Sequence, residues 1–442
     1  MNQQSGRLTF FASMQWMFFI FVNVVVVPIS IGTAFQLSTE EVVLMLRTSL
    51  IITGLACILQ GWIGHRYPLL EGPSGILWGL MLTLGASAPT LGLSLTDVGG
   101  GIATGMMLAG VVTILLAVCG AVSSIHQIFN PMVMNVFLLL LSIQLAVIFF
   151  TGMLGIADDG SIIIPITIFS LFITLFVAIL KVKGNTVISN FSLLIGIIIG
   201  WPIYSLIFHN TSSSALDTSS TTDALTGGAK LLFPLGQPNL QLGIIIVTFI
   251  ACLLNMSNTF AAISAASDIF KDKPEKGQFR NSILLTGVHS VVASLFGLVA
   301  YAPFASSIGF LESTQIYEKK PYFWGGAMIV LLGVVPSLAV MLAHLPVTLG
   351  NAVLFVAYLQ LFGTALKSVA PYQFNSVTVH RIAAPVLLGV SIMMADSKLF
   401  TSLPSLIQPL LSNGFLMGVL LSIILEAVVK WDKHDDKTMK QN

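Results

Sequence analysis

The sequence predicts an all-α polytopic membrane protein of about fourteen transmembrane segments. Three observations predict it. Of 442 residues, 55% are hydrophobic and only 8% are charged, against roughly 25% charge in a soluble chain, and the mean hydropathy is +0.94. Apolar runs of about 20 residues, long enough to cross a bilayer core, recur from end to end. The period-2 alternation of a membrane barrel is missing.

The segments fall near 10–32, 42–64, 67–88, 99–122, 130–155, 162–182, 187–208, 240–269, 281–303, 304–315, 322–345, 346–370, 379–396 and 404–430. The first is too long for a signal peptide and has no small-residue cleavage site, so it reads as a retained span. The third, "YPLLEGPSGILWGLML" (Tyr67 to Leu82), is interrupted by Gly, Pro and Ser. The fourth opens on Gly99–Gly101, which suits close packing. It is no phosphate loop, for it lacks the Lys and a preceding strand. The fifth, "NPMVMNVFLLLL" (Asn130 to Leu141), resembles the start of the twelfth, "LPVTLGNAVLFV" (Leu345 to Val356). Asn135 and Asn351 there are expected to cap or to bond between helices. The tenth, inside "YAPFASSIGFLESTQ" (Tyr301 to Gln315), is interrupted like the third. A Ser/Thr-rich linker at 209–239 divides the chain. The predicted organisation is a first seven-span repeat at 1–208, an extracellular linker, a second repeat at 240–431 and a cytoplasmic tail at 432–442.

Charge placement agrees with this map. With loops numbered alternately, one side collects Arg7, Arg66, Lys181, Lys183, Lys271, Lys273, Lys276, Arg280, Lys319, Lys320, Lys367, Arg381, Lys430, Lys433, Lys437 and Lys440. The other side has Lys230 and Lys398. Cytoplasmic loops carry the Lys/Arg excess, so both termini are expected in the cytoplasm. The net charge of +1 gives no reason to expect nucleic acid. Cys57, Cys119 and Cys252 lie in apolar runs, too far apart for a metal site or a disulfide framework, and read as buried small hydrophobes.

Irregular backbone at membrane depth is tolerated where it lines a cavity or is buried in protein. A matched pair of interrupted segments in two halves points to a transport site. At these residues the chain resembles the nucleobase–ascorbate transporter family, which includes bacterial uracil, xanthine and urate permeases. The likeness is carried by "SMQWMFFIFVNVVVVPISIG", "GHRYPLLEGPSGILW", "LFGLVAYAPFASSIGFLESTQIY" and "SLPSLIQPLLSNGFLMGVLLSIILE", and it runs over most of the chain. It implies two inverted seven-span repeats, with short strands in spans three and ten. A core domain holds the base between spans one, three, eight and ten, and a gate domain including spans five and twelve moves against it.

The resemblance also implies candidate substrate-binding residues: Gln15 in span one, Ser74 and Gly75 in span three, Asn255 and Ser257 in span eight, and Ser306 and Ser307 in span ten. Three departures stand out. Trp16 replaces the usual His. Asn255 stands where the family places a carboxylate, and Ser306 where it places Glu or Gln. A carboxylate accepts two charge-assisted N–H bonds from a heterocycle and can carry a proton; an Asn pairs with an amide-like ring edge but cannot titrate. The acids left at membrane depth, Glu71 and Glu312, become the candidates for proton coupling. Asp396 and Glu426, near segment ends, read as solvated. His289 and His344 read as satisfied helix-packing residues.

The expected function is secondary active uptake of a nucleobase, a purine such as xanthine or urate, by proton symport across the plasma membrane. A uracil permease, a carrier of another small solute on this fold and a transport-incompetent sensor are the alternatives. No cofactor, metal or enzymatic activity is expected. The lipid bilayer is the partner, and a homodimer is admitted as an assembly.

Overall fold

The computed structural model describes residues 2–121, 130–156, 160–208, 230–304, 306–369, 375–429 and 431. Most of the 209–239 linker and all of the 432–442 tail lie outside the described residues. In chain order the helices are α1 (Asn2–Val24), α2 (Val26–Ala34), α3 (Thr39–Trp62), α4 (Gly75–Leu91), α5 (Leu95–Val118), α6 (Pro131–Met153), α7 (Ile164–Lys183) and α8 (Thr186–Ile207). After the linker come α9 (Leu242–Phe270), α10 (Lys276–Leu295), α11 (Ser306–Thr314), α12 (Lys319–Val334), α13 (Pro336–Ala343), α14 (Val347–Val369), α15 (Ser376–Met394) and α16 (Gly414–Val428).

Several starts are written in the local sequence. Ser38 and Glu41 form a reciprocal capping box at α3, as Ser94 and Asp97 do at α5; each pair satisfies two of the N–H groups that a helix start leaves open. At α6, Asn130 accepts from the Met132 and Val133 N–H groups while Pro131 occupies the first turn, where a missing N–H costs nothing. Pro336 does the opposite between α12 and α13. It ends one helix and starts the next, with an 87° bend across the break.

Among the described residues, seven helices are long and apolar enough to cross a membrane, or eight if the bent α12–α13 pair is one span. The apolar parts of α4, α8, α14 and α16 are shorter. Along α7, Ile168, Phe172, Leu175 and Ile179 recur at helical spacing and are all exposed. An apolar stripe of this kind facing outward is what lipid accepts and water does not. The protein is a mostly helical, multi-pass membrane protein.

The helices pack as two sets. One contains α1–α5 and α9–α12, with close pairs α5–α10, α3–α12, α1–α12 and α5–α9. The other contains α6–α8 and α14–α16, with close pairs α6–α14, α15–α16, α7–α8 and α6–α16. Contacts between the sets are thinner: α4 with α6, α2 with α14, α8 with α11 and α1 with α8. Glycine sets one approach distance inside the first set. A methyl on Gly99 or Gly100 would run into the backbone carbonyls of Leu235 and Gln237, so the Gly99–Gly101 run does serve close packing.

Three sequence expectations change. Cys119 is exposed at the end of α5, whereas Cys57 and Cys252 are buried; an end-of-helix position escapes the packing that covers the other two. Glu426 is paired rather than solvated: Arg381 donates to it through Nε (2.8 Å) and Nη2 (2.6 Å), and the Asn130 amide adds a bond of 2.8 Å. The pair is largely buried, at 17% and 10% side-chain exposure. The His289 Nδ1 atom has no hydrogen-bond partner. Asp396, by contrast, is exposed and caps a short turn through the Lys398 N–H. Asn135 bonds across helices, its amide donating to the Ala365 carbonyl of α14, and the buried Asn351 side chain sits against Gly152 of α6.

Candidate functional site

The two interrupted segments meet. After α3 the chain forms β1 (Glu71–Pro73), and after α10 it forms β2 (Tyr301–Pro303). They pair antiparallel in the register Glu71 to Pro303, Gly72 to Ala302 and Pro73 to Tyr301. Each strand leads into a helix start, α4 from β1 and α11 from β2. Pro73 and Pro303 each occupy a non-hydrogen-bonded pair of the ladder, where the missing N–H faces away from the partner strand and costs no ladder bond. All six strand residues are buried. A two-stranded pair this short is not stable by itself, so its surroundings must hold it.

Side chains from three elements do so. Asn255, near the middle of α9, donates its Nδ2 to the Tyr301 carbonyl (2.9 Å) and accepts at Oδ1 from the Ser74 hydroxyl (2.6 Å). The same Oδ1 accepts from the Asn258 amide at 3.0 Å. Ser307 Oγ accepts from the Leu70 N–H at 2.9 Å, the Ser74 N–H donates to the Ala300 carbonyl and the Phe304 N–H to the Leu70 carbonyl, both at 2.8 Å. The two segments are thereby stitched together on both sides of the ladder.

Alternation along a strand separates two faces. Gly72 and Ala302 share one. A Cβ on Gly72 would touch Phe304 at 3.3 Å and Val24 at 3.7 Å, so this face looks toward the α1–α2 junction. Gly75, at the first turn of α4, looks across the seam between the helix sets, where a Cβ would meet Leu145 of α6 at 3.2 Å and the Tyr358 hydroxyl of α14 at 3.7 Å. The first turn of a helix leaves N–H groups without intrahelical partners, and this first turn lies at that seam. Glu71, Pro73 and Tyr301 share the opposite face, toward α3.

Of the residues singled out from sequence, the structure brings Ser74, Gly75, Asn255 and Ser307 together. Asn255 and Ser307 spend hydrogen bonds on the protein itself. Ser257 is fully buried with no partner for its hydroxyl. Ser306 is exposed on α11. Gln15 is half-buried in a separate cavity between α1, α8 and α11, with Phe19, Asn23, Phe191 and Phe310. Trp16 turns the other way, fully buried with its ring against Phe310 (4.6 Å) and Tyr322 (5.0 Å), a bulky anchor in the packing. Glu71 is fully buried, while Glu312 is exposed on α11 and does not join the cluster. Sequence reasoning passed over Asn258, whose only signal was its place one helical turn beyond Asn255.

Residues 7–398 match the model of the Permease family, Xan_ur_permease. The chain belongs to that family, whose members are membrane transporters. It is 27% identical to the "Putative purine permease YwdJ" of Bacillus subtilis over 96% of each chain. It is 22% identical to the "Uric acid transporter UacT" of Escherichia coli, over 97% of this chain and 87% of that one. Among solved structures, the transmembrane domain of the cyanobacterial bicarbonate transporter BicA shares the fold at a TM-score of 0.55, covering 93% of this chain and 97% of that one at 12% identity.

Proposed function

We propose that the protein is a secondary active permease that takes up a purine base, such as xanthine or urate, by proton symport across the plasma membrane. The observation that carries the reading is the stitched strand pair, whose first strand leads into a helix start at the seam between two helix sets. In such a site, backbone N–H groups and a few fixed side chains meet the polar edge of a flat ring, and small residues leave room for its face. The set α1–α5 with α9–α12 acts as the core, and the set α6–α8 with α14–α16 as the gate. The thin contact between them suits rigid-body movement of one against the other.

The packing pairs support two inverted seven-span repeats. Exchanging the halves turns α1–α12 into α9–α5, α7–α8 into α15–α16, and α8–α14 into α16–α6, and each of these pairs occurs. Odd-numbered repeats place the halves in opposite orientation, with both termini cytoplasmic as the charge bias requires.

Within the site, Ser74, Gly75, Ser306 and the α4 N–H groups are the proposed contacts to the base. Asn258 presents the ring-facing amide: Asn255 takes its N–H, which fixes the amide plane and leaves Oδ1 for a base N–H. Asn255 and Ser307 position the strands. Glu71 is the proposed coupling acid. The named relatives support the purine reading.

A radiolabelled uptake panel of xanthine, urate, uracil, guanine and hypoxanthine, in cells stripped of their own base permeases, tests it. Accumulation of a purine, competed by other purines, is expected. Binding without accumulation would leave a sensor. Uptake insensitive to purines would leave a carrier of another solute.

A further inference from the structure

The seam between the helix sets is closed where α4 leaves the strand pair and open where α11 leaves it. On the closed side the Gln144 amide of α6 lies over Gly79 of α4. A Cβ on Gly79 would meet the amide Cδ at 3.3 Å and its Nε2 and Oε1 at 3.5 Å. One turn further along α4, the Gln144 Nε2 donates to the Thr83 hydroxyl at 3.3 Å. Gln144 is buried, and its Oε1 has no partner, so a single bond holds the amide in place. Trp78 of α4 adds a ring contact to Phe149 of α6 at 5.1 Å. On the same side α14 approaches α2 at Gly350, where a Cβ would meet Val26 at 3.0 Å.

The open side has the same residue types in its sequence. Setting Pro73 of β1 on Pro303 of β2 puts Gly79 on Gly309 and Thr83 on Ser313 of α11. Setting Asn135 of α6 on Asn351 of α14 puts Gln144 on Gln360 and Leu145 on Leu361. A glutamine, a glycine and a hydroxyl thus recur as a set. Here, however, they are apart: Gly309 is exposed with nothing within 4 Å of its Cβ position, and Gly363 of α14 likewise has nothing within 4 Å. Glycine inside a helix is unfavourable unless its missing side chain leaves needed room. At Gly79 the Gln144 amide uses that room; at Gly309 nothing uses it in this conformation.

We propose that Gln144 and Gln360 are reciprocal latches. Gln144 closes the outer half of the seam over Gly79 and Thr83, as in this structure. Gln360 closes the cytoplasmic half over Gly309 and Ser313 once the helix sets have moved and the outer latch has parted. The conformation described here is the one open to the cytoplasm. Each latch is one amide laid over one glycine, close enough to shut the seam and held weakly enough to release it. Which half is outer follows from the charge bias. The part the latches play in moving a base rests on the permease reading above; the two closures themselves do not.

Paired cysteines in a Cys-less background test this, with copper phenanthroline as oxidant in membrane vesicles. Gly79→Cys with Gln144→Cys is expected to cross-link from the conformation described. Gly309→Cys with Gln360→Cys is expected to cross-link too, although nothing lies near Gly309 here. Gly309→Cys with Phe362→Cys, about 200° further round α14, is not. Either cross-link should stop exchange of labelled base in proteoliposomes, and dithiothreitol should restore it. No cross-link between 309 and 360, or an equal one between 309 and 362, overturns the reciprocal latch. Should a cysteine pair fail to insert, single variants decide it, with Gly75→Cys as a reporter labelled from outside by an impermeant thiol reagent. Gln144→Leu is expected to speed labelling and Gln360→Leu to slow it, each about fivefold, the population shift that losing one hydrogen bond gives. A change in the same direction in both, or no change in either, overturns it. Both cross-links formed in a protein whose wild type exchanges no base would strike the permease reading alone.

Discussion

Replacing Asn255 with Ala separates two roles that one residue could have at the strand crossing. In the structure its amide holds the protein together, with bonds to Ser74 (2.6 Å), Tyr301 (2.9 Å) and Asn258 (3.0 Å). The Ala variant strands the Ser74 hydroxyl and the Tyr301 carbonyl, both in fully buried residues. A buried polar group left unpaired costs about 1–3 kcal/mol, so the two together cost about 2–6 kcal/mol. Asn258 is only partly buried and can turn its amide to water, adding little. Ser74→Ala removes its own donor but leaves Asn255 Oδ1 with the Asn258 amide, so its cost is expected at about 1 kcal/mol. Asn258→Ala should leave stability nearly unchanged and raise the KM for the base. Detergent-purified variants would be compared by thermal unfolding and, in proteoliposomes, by exchange of labelled base. Asn255→Ala is expected to lower the unfolding temperature clearly more than Ser74→Ala, and to lose transport with it. An Asn255→Ala protein that unfolds like wild type yet no longer binds base would refute the stitching role and return Asn255 to direct contact with the substrate.

Three further outcomes are expected. Removing one partner of the Arg381–Glu426 pair, as in Arg381→Met, leaves a mostly buried carboxylate and should destabilise by about 3–5 kcal/mol; an unshifted unfolding temperature would show that the pair is solvent-relaxed. Gly100→Val places a branched side chain against the Gln237 backbone and should abolish folded protein on size-exclusion chromatography, whereas Gly277→Val, with nothing near its Cβ position, should not. In a Cys-less background, Lys273→Cys should be blocked only by reagents that enter the cytoplasm and Ser219→Cys should react from outside; external labelling at 273 in intact cells contradicts the charge-based orientation.

What could be read from sequence was local. The breaks at Pro73 and Pro303, the Gly99–Gly101 contact and the Asn130–Pro131 helix start are each announced by residues next to one another in the chain. Partnerships across the chain were not announced. Leu70 and Ser307 are 237 positions apart, and no periodicity says that one carries the other's hydrogen bond. Asn255 looked like a substrate contact because a family position suggested it; only the distances show that it also holds the Ser74 hydroxyl and the Tyr301 carbonyl. Glu426 looked solvated because Arg381, its partner, lies on another helix.

The most direct measurement of the transport claim is counterflow in proteoliposomes containing only this protein. Vesicles loaded with unlabelled xanthine or urate are diluted into a trace of the labelled base, with no pH or salt gradient. A permease with a purine site produces a transient internal accumulation of label, abolished when the vesicles are loaded with buffer alone. Label that equilibrates without an overshoot for every purine tried, from protein that is folded and inserted, would contradict it.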